Sequence, residues 1–472
     1  MFKSFMKCRV GVPSSLLLSV LVFITFFIAI GLADSQNVYA MPLHTANVRA
    51  IPAFARKYGL PCSACHTAWP ELNNFGQTFR DNGYQLNNDH DSPIYQDPGY
   101  FPITMRITPN WHRESVNNQS VDGSPDARRI SRSGFDLSGM DIWATGTIYK
   151  NISFSLLPSS DVNASFHFEN AFIRFDNLFK SRWLNLKVGK FELDNMISEK
   201  RFLSLSQNGG LYQSYHFVPA GDSNTFGLGN NALGMELAGH SVNSYTRYTV
   251  SVLSGNDGAP GLGASRSYDT FATFSQAFQV GKLGLQRFGG FAYVGQRPTI
   301  AVLSGGTPIP GTGDGNKSFY RVGFSAQLNF AKLTILPFYM HGYDNVFLGT
   351  STQANQTLPD GAMAPTWNAG FVETHLQLNP QLVFTQRVEK VRMSRQALPT
   401  NPLHMGDIDA YTVGYRWYPI MFSRGGLAFH NEFSLVKTQG MQPLSGAGVS
   451  SAPFGTLPVW SNSALAGFDF AF

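Results

Sequence analysis

Along most of this chain apolar and polar residues alternate one by one. Tyr320, Val322, Phe324, Ala326, Leu328 and Phe330 interleave with Arg321, Gly323, Ser325, Gln327 and Asn329. Tyr248, Val250 and Val252 interleave likewise with Arg247, Thr249 and Ser251, and Tyr411, Val413, Tyr415 and Trp417 with Thr412, Gly414 and Arg416. Successive side chains of a strand point to opposite faces, so a period of two gives each stretch one apolar and one polar surface. Beyond Tyr100 such stretches, each of roughly ten residues, recur between Gly-, Ser- and Asn-rich connections. Their centres fall near residues 106, 142, 155, 169, 187, 235, 249, 272, 290, 324, 338, 371, 387, 413, 432 and 467. This predicts a mostly β protein of about sixteen strands.

A soluble sandwich alternates too, so the setting has to assign the two faces. Short turns near Asn151, Asn243, Ala331 and Pro380 interleave with long connections at 194–229, 298–317, 345–364 and 438–460. Transmembrane antiparallel barrels do this, with short periplasmic turns and long external loops. Mean hydropathy is only −0.11, as expected if each lipid-facing residue is followed by a lumen-facing polar one. The chain also ends Phe468-Asp469-Phe470-Ala471-Phe472, an aromatic alternation that resembles the insertion signal of bacterial outer-membrane proteins. An even strand count puts both barrel ends on the periplasmic side of the outer membrane.

The first hundred residues have another character. Residues 1–40 read as a signal peptide: Lys3, Lys7 and Arg9, an apolar run from Leu16 to Leu32, and Val38-Tyr39-Ala40 as cleavage site. An uncleaved inner-membrane anchor is the alternative for that run. Residues 41–98 form a small polar segment, and residues 99–472 the barrel. Ala53 to Tyr58 and Glu71 to Asn82 suit short helices, the second with Pro70 in its first turn and Gly83 just past its end.

At the centre of that segment stands Pro61-Cys62-Ser63-Ala64-Cys65-His66. The spacing CxxCH is the attachment signature of a c-type haem: Cys62 and Cys65 form thioethers, and His66 is the proximal ligand of the metal. Of the chain's three cysteines, Cys8 lies in the leader, so the pair stands alone in the mature protein. A disulfide framework wants more cysteines, a thioredoxin-like motif wants a βαβ setting, and zinc wants two further ligands. One covalent haem c would also supply much of the core that so short a segment lacks. Met41, His44, His90, Met105 and His112 are the distal candidates within reach, and a five-coordinate iron is the other alternative.

The stretch Pro52 to Tyr58, then Cys62 to His66, Trp69-Pro70-Glu71-Leu72-Asn73, Phe75-Gly76 and Asn82-Gly83-Tyr84 resembles the fused monohaem cytochrome and porin of iron-oxidising bacteria. The likeness of architecture covers the whole chain, and the specific motif covers about residues 52–84. It implies an outer-membrane c-type cytochrome that takes electrons from extracellular Fe(II), an Fe(II):cytochrome c oxidoreductase, with haem held by Cys62, Cys65 and His66. The electron would then pass to a periplasmic cytochrome or copper protein. Related haem segments occur in exported proteins of unknown substrate, so another electron donor stays open. No motif carries over an iron-contacting residue.

An apolar band about 25 Å tall separates a periplasmic haem from an external donor. A segment folded into the lumen as a plug, with one haem edge toward the outer mouth, shortens that path. Two other functions compete: a transport porin whose haem segment is a plug or sensor, and a haem peroxidase or other small-molecule oxidoreductase. The net charge of +5, with 14% charged residues, is too small and too scattered for nucleic-acid binding. Gly227-Leu228-Gly229 and Gly261-Leu262-Gly263 lack a following helix and read as loop turns rather than phosphate cradles. Glu373, His375 and Gln377 share one polar strand face and read as pore wall before metal site. Asp222 and Asp257 read as solvated loop acids.

Overall fold

The structure is a computed structural model. It describes residues 53–58, 60–68, 70–86, 103–119, 121, 125–137, 140–160, 166–198, 211–217, 224, 226–255, 268–298, 300–304, 307–310, 316–344, 364–395, 407–422, 425–438 and 458–471. The leader, the boundary between residues 98 and 99, Met41, His44, His90, Asp222, Asp257 and Phe472 lie outside these.

Sixteen antiparallel strands form one closed barrel. The first two are each built from two segments, β1 from Ile103–Ile107 and Pro109–Gln119, β2 from Arg128–Leu137 and Met140–Tyr149. Their pairing runs from Gln119↔Arg128 through Pro109↔Leu137 to Ile103↔Ala144. The others are β3 Ile152–Ser160, β4 Phe166–Phe175, β5 Asn185–Glu192, β6 Asn231–His240, β7 Thr246–Ser254, β8 Tyr268–Val280 and β9 Gly284–Pro298. They continue with β10 Asn316–Phe330, β11 Leu333–Asp344, β12 Thr366–Asn379, β13 Leu382–Arg395, β14 Ile408–Phe422, β15 Gly425–Thr438 and β16 Val459–Ala471. All sixteen centres expected from the alternation fall inside these strands.

The two faces divide as the alternation requires. On β7, Val250 and Val252 are 44% and 45% exposed, whereas Ser251 between them is fully buried. Phe324 and Val413 also face outward, and Arg321, Ser325, Thr412 and Arg416 face the lumen. An apolar exterior needs a wall with no open edge, because an unpaired backbone group has no water partner in lipid. Closure is made by β16, which pairs with both segments of β1. The inward Asp469 locks it: Arg106 grips its two oxygens at 2.9 Å each, and Arg416 reaches it at 3.1 Å.

Inside lies the small N-terminal unit, with helices α1 (Ala53–Tyr58), α2 (Cys62–Cys65) and α3 (Asn74–Asp81). The sequence suggested that α3 would start at Glu71 with Pro70 in its first turn. Instead Glu71–Leu72 pairs with His66–Ala68 as a short ribbon, and Asn73 caps the helix by accepting from the Gly76 N–H at 2.9 Å. The far end closes as expected: Gly83 takes φ +77, and the Tyr84 N–H donates to the Phe79 carbonyl at 3.0 Å.

This unit is a lumen plug at the short-turn end of the barrel. Asn74 and Thr78 both donate to the Asn243 carbonyl in the β6–β7 turn, and Gln85 donates to the Lys150 carbonyl in the β2–β3 turn. Contacts from Thr104 on β1, Thr147 on β2 and Gln377 on β12 reach it from across the barrel. The rest of the lumen is partly filled by the β5–β6 connection, which the sequence showed only as a long loop. Its helix α4 (Gln213–His216) and flanking residues pack Tyr212 on Phe371 at 4.3 Å and Phe217 on Trp367 at 5.2 Å. Apolar side chains brought inward in this way gain burial that an external loop would forgo.

Asp469→Asn leaves Arg106 and Arg416 without their shared anion in a buried site. The expected cost is about 3–5 kcal/mol. A lower denaturant midpoint of the detergent-solubilised barrel, measured by loss of β-sheet circular dichroism, is the readout.

Candidate functional site

Cys62 and Cys65 occupy one turn of helix, and His66 leaves that turn in an extended conformation. Asn73 holds the turn against α3, its side-chain amide donating to the Ala64 carbonyl at 3.0 Å and its backbone N–H to the Cys65 carbonyl at 2.9 Å. The contact is so close that a Cβ on Gly76 would stand 2.2 Å from the Cys65 oxygen, so only glycine fits there. The two cysteines and His66 line one cleft with Phe54, Tyr58, Leu72, Phe79 and Tyr84. It encloses about 750 Å³, part of it open. Its aromatic wall is continuous, with Phe54 stacked on Tyr84 at 5.2 Å and edge-on to Phe79 at 5.0 Å.

The chemistry of the cleft follows from burial. Neither cysteine is in a disulfide. Burial pushes both thiols up, Cys65 to about 11 with the adjacent Cys62 adding to the rise, so neither is an activated thiolate. Burial also lowers the His66 imidazole, which is therefore neutral. Its Nδ1 lies 3.1 Å from the Pro70 carbonyl, which can only accept, so Nδ1 carries the proton and Nε2 the lone pair. Two neutral thiols and an oriented imidazole nitrogen thus converge on an apolar slot. Among the described residues no set of three or more His, Cys, Asp or Glu gathers to hold a metal ion by itself.

Two buried ionic latches hold the plug. On one side Arg247 of β7 reaches Asp81 at 2.8 and 3.1 Å and Asp194 at 2.6 Å, while Arg80 reaches Asp194 at 2.9 Å. Arg174 of β4 donates to the Arg80 and Asp81 carbonyls at 2.9 and 3.2 Å, closing the C-terminal end of α3. On the other side His375 stands between Glu71 of the plug at 2.9 Å and Glu373 at 2.7 Å. Arg387 then joins Glu373 to the β5–β6 connection, donating at 3.0 Å and to the Leu211 carbonyl at 3.1 Å.

The structure therefore gathers Cys62, Cys65 and His66 and gives Glu373, His375 and Gln377 a different task. His375 and Gln377 grip the plug, Gln377 through the Thr67 carbonyl, and Glu373 backs His375, so the three are not simply a solvated pore wall. Of the distal candidates within the described residues, Met105 alternates with the inward Thr104 and Arg106 and so faces outward. His112 stands beside Glu114, its Nε2 3.4 Å from the carboxylate. Neither lines the cleft. The latch residues Asp81, Arg174, Asp194 and Arg247 carry no local signal. Each is an ordinary charge until folding joins positions as far apart as Asp81 and Arg247.

No family model matches the chain, and no curated protein does. Among solved structures it is similar to the anion-selective porin from Comamonas acidovorans, at 10% identity over 78% of this chain and 99% of that one, with a TM-score of 0.50. It is similar also to the outer membrane channel DcaP of Acinetobacter baumannii, at 9% identity over 81% of this chain and 100% of that one, again with a TM-score of 0.50. At such identity the likeness is one of fold: a closed sixteen-strand antiparallel β-barrel like those of these two proteins.

Burial by itself would raise the Asp81 carboxyl, but Arg247 and Arg80 outweigh it and hold the group at about 2 against an ordinary 3.8. A depressed carboxyl stabilises the fold fully above its unfolded value and loses that contribution as pH falls through the folded one. Wild type is therefore expected to lose about 2 kcal/mol more than Asp81→Asn between about pH 4 and pH 2. Denaturant unfolding of both proteins across that window checks it.

Proposed function

We propose that this barrel lies in the bacterial outer membrane with one covalent haem c in its plug, and that it passes electrons from extracellular Fe(II) to a periplasmic cytochrome or copper protein. The observation that carries this reading is the convergence of Cys62, Cys65 and His66 on a single apolar cleft inside the lumen. The cleft fits the group in its donors and its faces: two thiols on its wall, an imidazole oriented by Pro70, and aromatic rings to stack against a flat macrocycle. A haem held there supplies a one-electron couple.

The chain's own residues do the rest. Cys62 and Cys65 tether the group, and His66 presents Nε2. Phe54, Phe79 and Tyr84 keep water from the faces. The Arg247 and His375 latches fix the plug, so the distance an electron crosses is fixed too. The aromatic packing of Tyr212, Phe217 and Trp367 obstructs the lumen beyond it, which favours transfer of an electron over entry of the donor itself. Ferric product, which precipitates readily, would then form outside the cell.

A transport porin with a haem-bearing plug is the second reading. The two solved structures named above are a porin and a channel, which favours it. So does a second, partly open cavity between the plug and the wall, with Lys187, Glu192 and Glu236 among its lining.

The expected outcomes separate the two. Purified wild-type protein is expected to carry haem that survives denaturing electrophoresis, and Cys62→Ser/Cys65→Ser to carry none. In anaerobic stopped-flow spectroscopy Fe(II) should bring up the reduced haem bands within the mixing experiment. Haem that dithionite reduces and Fe(II) does not, together with solute flux into proteoliposomes, would overturn the electron-transfer reading in favour of the porin.

A further inference from the structure

The cleft and the larger lumen cavity meet along four shared residues, Phe54, Leu72, Arg80 and Tyr84. Cys62, Cys65 and His66 line the cleft alone, and Glu169, Arg174, Lys187 and Asp194 line the cavity alone. The cleft therefore has a thiol flank that the cavity does not share and a lumen flank that it does, and the cavity beyond that flank is lined by charged residues. Among the described residues that line the cleft, Arg80 is the one fully charged side chain, and it stands on the lumen flank.

A haem tied by its vinyl edge to the thiol flank carries its two carboxylate arms on the opposite edge. Those arms would then lie toward the lumen flank, where an ionised carboxylate beside an apolar slot needs a charged partner. From this placement we infer that Arg80 is a positioning residue that binds a carboxylate arm of the haem, an inference that rests on the haem reading above. Arginine suits the task. Its planar fork pairs with carboxylates, and its five N–H donors can serve Asp194 and a second acid together. The guanidinium is held in place: Nη2 lies 2.9 Å from Asp194, and Arg247 takes the other Asp194 oxygen at 2.6 Å. A carboxylate arm joined there links the cofactor to the same ionic latch that holds α3. Arg80 would thus set the haem's tilt in the cleft and raise its reduction potential, because a cation near the porphyrin disfavours the oxidised, more positive state.

The test uses the full-length holoprotein in detergent, with Arg80→Gln, Arg80→Lys and Asp194→Asn. A haem stain of denatured wild type comes first, and its absence there sinks the haem reading and this inference with it. With haem present in all four proteins, Arg80→Gln is expected to lower the midpoint potential and shift the carboxylate-arm bending band in resonance Raman spectra. It should also make the potential vary more steeply with pH near neutrality as the arm begins to titrate. Arg80→Lys, which keeps the charge, should restore most of the potential but not the band position. Asp194→Asn breaks the ion pair yet should leave the band unmoved. An unmoved band in Arg80→Gln, or the same shift in Arg80→Gln and Asp194→Asn, would show that Arg80 only holds the plug, and haem would remain without this anchor.

Discussion

Arg247 closes two carboxylates against one guanidinium, Asp81 from the plug and Asp194 from the chain that follows β5. Charges taken out of water cost several kcal/mol each, so such a group is stable only when every partner is in place. The consequence is positional. The end of α3, the start of the β5–β6 connection and the β7 wall can approach one another in one arrangement only, because any other leaves a buried charge unpaired. With α3 so placed, Asn73 and Gly76 carry the Cys62–Cys65 turn with it, and the cleft acquires its location in the lumen.

The barrel imposes the complementary constraint. Its exterior must be apolar and its backbone fully paired, so polar residues are confined to the inward face. A lumen lined with Arg, Glu, Asp and His is thus an outcome of membrane physics before it is a functional device. The protein then uses it. His375 and Glu373, half of one latch, are inward residues of an ordinary alternating strand, and Phe371 and Trp367 of that same strand β12 receive Tyr212 and Phe217 where bare pore would otherwise be. The plug and the inward connection together convert a pore-sized wall into a support for a small apolar cleft.

This arrangement explains why a porin-like fold and a cytochrome-like motif can coexist in one chain without a second domain core. The plug is too short to fold around much of its own. It borrows its burial from the wall, its helix capping from Arg174 and its anchorage from Asn243 and His375. The chemistry proposed for the cleft depends on the wall for position and on the segment itself for reactivity.

Local rules were enough wherever the information is local. Strand alternation repeats every two residues, turns announce themselves by composition, and CxxCH, the Gly83 helix end and the inward and outward faces all follow from nearest neighbours. The helix α3 starts a few residues later than local composition suggests because a ribbon pairing with His66–Ala68 competes there with helix. What remained for the tertiary structure was everything set by partners distant in the chain: the plug's place at the short-turn end, the inward fold of the β5–β6 connection, and the latches through Arg247 and His375. A charged residue on a polar face reads as solvated until its partner is known. The partner of Glu71 lies on β12 and that of Asp81 on β7, and only closure of the barrel brings them within hydrogen-bond distance.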